Sequence, residues 1–179
     1  DLGNPVDNTS VGLASLAAVS VGNSFLSCLG AWTNTVYRVN NGNLEANGTP
    51  IVTGIVALRA QYGISATAND NQINAWVSAA VAPWNVVPLA IADRNRIKAV
   101  RIAVVARTDL YERDVVSSAC SSTTINNPAP TGVCAWAGSA ASPAPTIDLS
   151  NTADWDHYRY RVFETIIPLR NVIWARSLL

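Results

Sequence analysis

Apolar and polar positions alternate with period two along several short stretches of the chain, and long helical periodicity is absent. Thr35–Val39 reads as a strand, Asn40-Asn41-Gly42-Asn43 supplies residues that tolerate positive φ, and Leu44-Glu45-Ala46 returns. Gly48-Thr49-Pro50 ends that hairpin. Ile55–Ile64 alternates again: Val56, Leu58, Ala60, Tyr62 and Ile64 share one face, with Arg59 and Gln61 on the other. Ala66–Asn74, around Asn69-Asp70-Asn71, is a polar loop, and Ala75–Val81 fits a short helix or a strand equally well. Ile97–Thr108 is the clearest strand. Val100, Ile102, Val104 and Ala106 form an apolar face expected to meet the core. Ala99, Arg101, Ala103, Val105 and Arg107 form a mixed face expected to meet solvent. Residues 117–152 are rich in Ser, Pro, Ala and Asn and read as mostly loop. From Trp155 a last strand places Tyr158, Tyr160 and Val162 on one side and Arg159 and Arg161 on the other. Pro168 ends it or marks an edge, and Ile166, Ile167, Leu169, Val172, Ile173 and Trp174 add core. The pattern predicts a mainly β or α+β domain with an antiparallel sheet, spanning 1–179 without internal repeats.

At 179 residues the chain is long enough for one ordinary domain with a real core. Hydrophobic residues are 49% and charged residues 13%, about half the usual charged share, which excludes a disordered charged tail. Twelve cations balance twelve anions, so the basic excess of a nucleic-acid module is missing. Lys98 is the only lysine; the other cations are arginines.

Cys28, Cys120 and Cys134 allow three single pairings with one thiol left over. Cys120 and Cys134 bracket a polar, Pro-rich loop that lacks further metal ligands, so a Cys120–Cys134 disulfide is expected there. Closing about 15 residues contributes on the order of 3 kcal/mol. Such a bridge places the protein outside the reducing cytosol. Cys28, beside Leu26 and Leu29, is expected to be a buried free thiol. Val11–Trp32 carries no charge, but Gly12, Ser15, Ser20, Gly22, Asn23, Ser24, Ser27 and Gly30 weaken it as a membrane span. No signal peptide opens the chain.

Residues for catalysis are scarce. His157 is the only histidine, and no serine lies in Gly-x-Ser-x-Gly. Asp154 and Asp156 share a side of an extended segment, but glycosidase carboxylates come from separate elements facing a cleft, so these are expected to flank a turn. Asn69-Asp70-Asn71 has one carboxylate and no bidentate glutamate for calcium. No catalytic, cofactor or metal residue is therefore assigned. Six tryptophans, at 32, 76, 84, 136, 155 and 174, serve a core or, if exposed, a sugar-stacking surface. Arg101, Arg107, Arg159 and Arg161 fall on polar strand faces. They either pair internally, with Glu112 or Glu164, or form an interface with another subunit.

Three stretches then read together: Asn43–Val52 (NLEANGTPIV) running into Gly54–Gly63 (GIVALRAQYG), Val100–Arg107 (VRIAVVAR), and Tyr160–Asn171 (YRVFETIIPLRN). In this order and spacing they resemble the PilW family of type IV pilus minor pilins, related to the J-type pseudopilins of type II secretion. The likeness runs from about Cys28 to Trp174. It implies a pilin-type globular domain whose N-terminal membrane helix, with its prepilin cleavage site, is missing, so that the chain is a soluble C-terminal portion. In relatives Cys28 tends to have a cysteine partner where Ala46 stands here, which leaves Cys28 odd and favours Cys120–Cys134. The resemblance further implies a non-enzymatic subunit that starts pilus assembly and sits at the tip. Its partners would be other minor pilins and the major pilin, with no nucleic acid and no cofactor. Its place would be the inner membrane, the periplasm and the extracellular pilus of a bacterium, with membrane contact only through the missing helix. The alternatives are a surface adhesin or carbohydrate-binding module, carried by the tryptophans and Asn-rich loops, and a hydrolase using Asp154, Asp156 or Glu112.

Overall fold

The computed structural model describes residues 33–121, 129–140 and 142–170. Contacts divide the chain into Val36–Leu178 and a unit of Asp1–Thr35 with Leu179. All elements below belong to the former. Cys28, Trp32, Val11–Trp32 and the apolar residues Val172, Ile173 and Trp174 lie outside the described residues.

Two antiparallel sheets form. The smaller has the order β1 (Tyr37–Asn40), β2 (Asn43–Ala46), β3 (Thr49–Thr53). Its two turns are Asn41-Gly42 and Asn47-Gly48, each with positive φ at both residues, the geometry that matches strand twist in two-residue hairpins. The second turn yields a strand that the sequence pattern had ended at Gly48-Thr49-Pro50. Pro50 is tolerated because β3 is an edge, exposed along its whole length. Glu45 is buried opposite Arg38 and bonded to Arg38 Nε at 2.6 Å and Asn40 Nδ2 at 2.9 Å. The arginine bond, then the asparagine bond, hold its carboxyl below the usual range.

The larger sheet has the order β5 (Ala75–Ser78), β4 (Ile55–Ile64), β6 (Ile97–Arg107), β7 (Tyr160–Pro168). The ambiguous segment after residue 75 is thus a strand. A single helical turn, α1 (Ile91–Arg94), precedes β6, and a 3-10 turn at Trp155–His157 precedes β7. Gly54, with φ +75°, joins the sheets; its carbonyl accepts the Arg107 N–H at 2.8 Å, and a Cβ there would crowd Arg107 O.

The core lies on the face of β6 opposite to the expected one. Ile97, Ala99, Arg101, Ala103 and Val105 are buried, while Val100, Ile102, Val104 and Ala106 are only half-buried. On β4, Ile55, Ala57, Gln61 and Gly63 are buried, with register shifts at Ile55/Ala57 and Gly63/Ile64. The physical reason is what covers the sheet. Irregular chain over 133–140 and 142–149 packs on it, and small side chains let backbone approach closely: Ala57, Ala103, Val105, Val133, Ala135, Ile147 and Leu149 form one cluster. A second cluster, Ile64, Trp84 and Ile97, gathers Tyr62, Val77 and Leu89. The described parts of the Ser/Pro/Ala-rich segment are irregular, as expected, yet supply five of the thirteen buried apolar residues among those described.

Cys120 and Cys134 are joined by a disulfide with Cα atoms 4.9 Å apart. It pins that covering segment beside Gly132, whose φ of +86° brings it against Ser118 and Ala119.

Candidate functional site: the arginine-bearing strands

β6 and β7 are direct neighbours, paired from Ala99↔Pro168 to Arg107↔Tyr160. Odd positions of one strand therefore oppose even positions of the other. Cross-strand partners share a face, so Arg101 and Arg107 lie on the inner face with Ile166 and Tyr160. Arg159 and Arg161, beside Thr108 and Ala106, lie on the outer one. The four arginines therefore form no common patch.

Arg101 is 4% exposed, not on a solvated face. Its Nε donates to Gln61 Oε1 at 2.8 Å, and its Nη2 to the same oxygen and, at 3.4 Å, to Pro143 O. Gln61 is its direct cross-strand partner and itself donates Nε2–H to Pro143 O at 2.9 Å. The guanidinium lies between two rings, 4.8 Å from Trp76 and 4.4 Å from Trp136. Trp136 reaches this place through a left-handed backbone, φ 54°, held by its N–H bond to Glu164 Oε1 at 2.7 Å. Burial pushes the Arg101 pKa down to about 10, partly offset by the Glu164 charge. The residue remains a cation at neutral pH, satisfied by ring faces and carbonyl-type oxygens.

Lys98, three positions earlier, is 2% exposed and donates Nζ–H to Ala68 O at 2.7 Å. Burial lowers its pKa, against the opposing charge of Asp70. Sequence reasoning did not single it out as buried. The available signal was a lone lysine centred in an apolar strand.

Arg107 lies 4.5 Å over the Tyr158 ring. Arg159 Nε pairs with Glu112 Oε1 at 2.9 Å on the surface. Arg161 is exposed, sits 5.3 Å from the Phe163 ring centre, and meets no carboxylate among the described residues.

His157 stacks on Tyr111 with ring centres 5.1 Å apart, and its Nδ1 is 2.9 Å from Glu112 O. Asp154 and Asp156 belong to the turn there: Asp154 has φ 53°, and the Asp156 carbonyl accepts the Val116 and Ser117 N–H groups. Asp70 Oδ1 accepts the Gln72 N–H at 2.9 Å. Among the described residues no three His, Cys, Asp or Glu side chains gather as metal ligands. Trp84 is buried, and Trp76, Trp136 and Trp155 are half-buried in contact with Arg101 or the core.

The model of the type IV pilus-assembly protein W family, PilW, matches residues 20–171. The chain belongs to the PilW family. Membership carries a role in type IV pilus assembly, a place at the cell envelope or pilus, and contacts with other pilus components. The match spans both sheets, the arginine-bearing strands and the disulfide. No curated protein and no solved structure matches the chain. Among the described residues of this PilW protein, no helix is long and apolar enough to cross a membrane.

Proposed function

We propose that this chain is a structural, non-enzymatic minor pilin that takes part in starting type IV pilus assembly and sits at the pilus tip. It acts from the inner membrane and periplasm and binds other minor pilins and the major pilin. The carrying observation is the family match across residues 20–171. The side-chain chemistry supports the same reading: the buried cations face carbonyls and indole rings, and His157 is engaged with Tyr111 and the Glu112 carbonyl. Deleting the gene and counting surface pili tests it. The expected result is a strong loss of pili with the major pilin still present in the membrane, restored by the wild-type gene and by His157→Ala. Normal piliation in the deletion strain overturns the reading.

A further inference from the structure

Among the described residues β7 ends the larger sheet, with one edge of its backbone open. Thr108 N–H donates to Arg159 O and Leu169 N–H to Lys98 O, which fixes the alternation of the β6–β7 ladder. Arg161, Phe163, Thr165 and Ile167 thus bond inward to β6, and Val162, Glu164 and Ile166 point their N–H and C=O groups away from it. Those three N–H groups have no hydrogen-bond partner among the described residues. Positions 163–168 are exposed, with Phe163 at 51% and Ile166 at 52%. Pro168, which has no N–H to offer, falls on the same outward parity and stops the edge. The opposite edge of the sheet is different, since the Trp76 N–H of β5 is taken by Ser142 Oγ at 2.9 Å. At the start of the open edge a groove runs between Ser117, Gly132 and Val133 and the strand residues Tyr160–Val162.

We propose that the Val162–Ile166 edge accepts an extended segment of a different pilus subunit, which adds as a fifth strand and brings a carboxylate to Arg161. This rests on the pilus reading above. Main-chain bonds to an open edge supply affinity in such additions, and side chains beside them supply selectivity. The selective element here is Arg161, exposed at the start of the edge with no carboxylate partner among the described residues.

A second copy of this chain fits worse. The symmetric antiparallel register centred on the middle open position sets Glu164 against Glu164, and like charges directly opposite destabilise a strand pair. Centring one residue earlier drives the copy into Ser117, whose hydroxyl already bonds Tyr158 O at 2.6 Å. Centring one residue later puts Pro168 opposite Val162, where a donor is needed.

The test uses the full chain and purified soluble domains of the other pilus subunits of the same cell, added one at a time. Amide exchange is followed residue by residue. One subunit is expected to slow exchange at Val162, Glu164 and Ile166 by about tenfold or more, while Arg161, Phe163 and Thr165 are already slow in the free protein. Ile166→Pro removes an outward N–H without touching the β6 ladder, as Pro168 does naturally. It should keep the melting temperature and weaken binding about tenfold, as should Arg161→Glu. A subunit that binds with protection elsewhere, or binds Ile166→Pro as tightly as wild type, overturns the edge proposal and leaves the pilus reading standing. The same protection appearing in the chain alone, with dimers in sedimentation, overturns it in favour of a second copy. A deletion strain with normal pili removes the pilus reading itself.

Discussion

Arg101 gives the sharpest test of what holds the larger sheet to its covering segment. Two quantities oppose each other there. The lowering of its pKa to about 10 from an ordinary value near 12.5 amounts to roughly 3 kcal/mol against the charged form. In return the guanidinium gains two ring faces, each about 2 kcal/mol when desolvated, and charge-assisted bonds to Gln61 and Pro143 of about 1.5–3 kcal/mol. The contacts therefore outweigh the cost of burying the charge by roughly 3 kcal/mol. Arg101→Ala removes the body between Trp76 and Trp136 and strands Gln61 Oε1, a loss of about 3 kcal/mol in the range of large-to-small core changes. For a chain of this size that corresponds to about 6–12 °C in Tm. Arg101→Met also strands Gln61 Oε1 but keeps an unbranched stem between the rings, so it should cost about half as much as Arg101→Ala, ~1.5 kcal/mol. Thermal unfolding followed by tryptophan fluorescence suits the measurement, because both rings report on the site. An Arg101→Ala protein that melts within 1 °C of wild type would refute the reasoning, as would Arg101→Met melting as low as Arg101→Ala.

Three further outcomes are expected. Replacing Cys120 and Cys134 by serine should cost about 3 kcal/mol in denaturant unfolding, and non-reducing peptide maps should link these two cysteines; a linked Cys28 peptide would contradict the assignment. Because the folded Glu45 carboxyl titrates below its ordinary value of about 4.3, its stabilisation is complete above that pH and is lost as pH falls through the lower folded value. Acid titration of stability should therefore show wild type and Glu45→Gln converging at low pH, and a constant gap would exclude the Arg38 pair as the cause. His157→Ala should leave pilus assembly intact and lower stability by no more than about 1 kcal/mol, the scale of one stacked ring and one hydrogen bond; loss of pili with an unchanged Tm would assign His157 a role beyond the fold.

Much of the larger sheet was legible in the chain because its signals are local. Ile55–Ile64 and Ile97–Thr108 alternate strongly, and Asn41-Gly42 needs only its own φ preferences to turn the first hairpin. The order of the three family-like stretches was enough to anticipate the family. The pairing of Cys120 with Cys134 was accessible because a short loop without other ligands separates them.

Burial was not local in that sense. Alternation says that a strand has two faces, and hydrophobicity nominated the face of Val100, Ile102 and Val104. The fold buried the other because an irregular segment, rather than a helix or second sheet, covers it, and such a segment packs closely over the small side chains of Ala57 and Ala103. Arg101 then goes inside because Trp76 and Trp136, 60 residues apart in sequence, arrive on either side of it. The arginines expected together are separated by register alone: an odd-to-even pairing of β6 with β7 sends two to each face. Strand content, turns and family thus follow from interactions within a few residues, while the choice of buried face, the partners of the arginines and the open edge of β7 depend on which distant segment arrives, and only tertiary packing decides that.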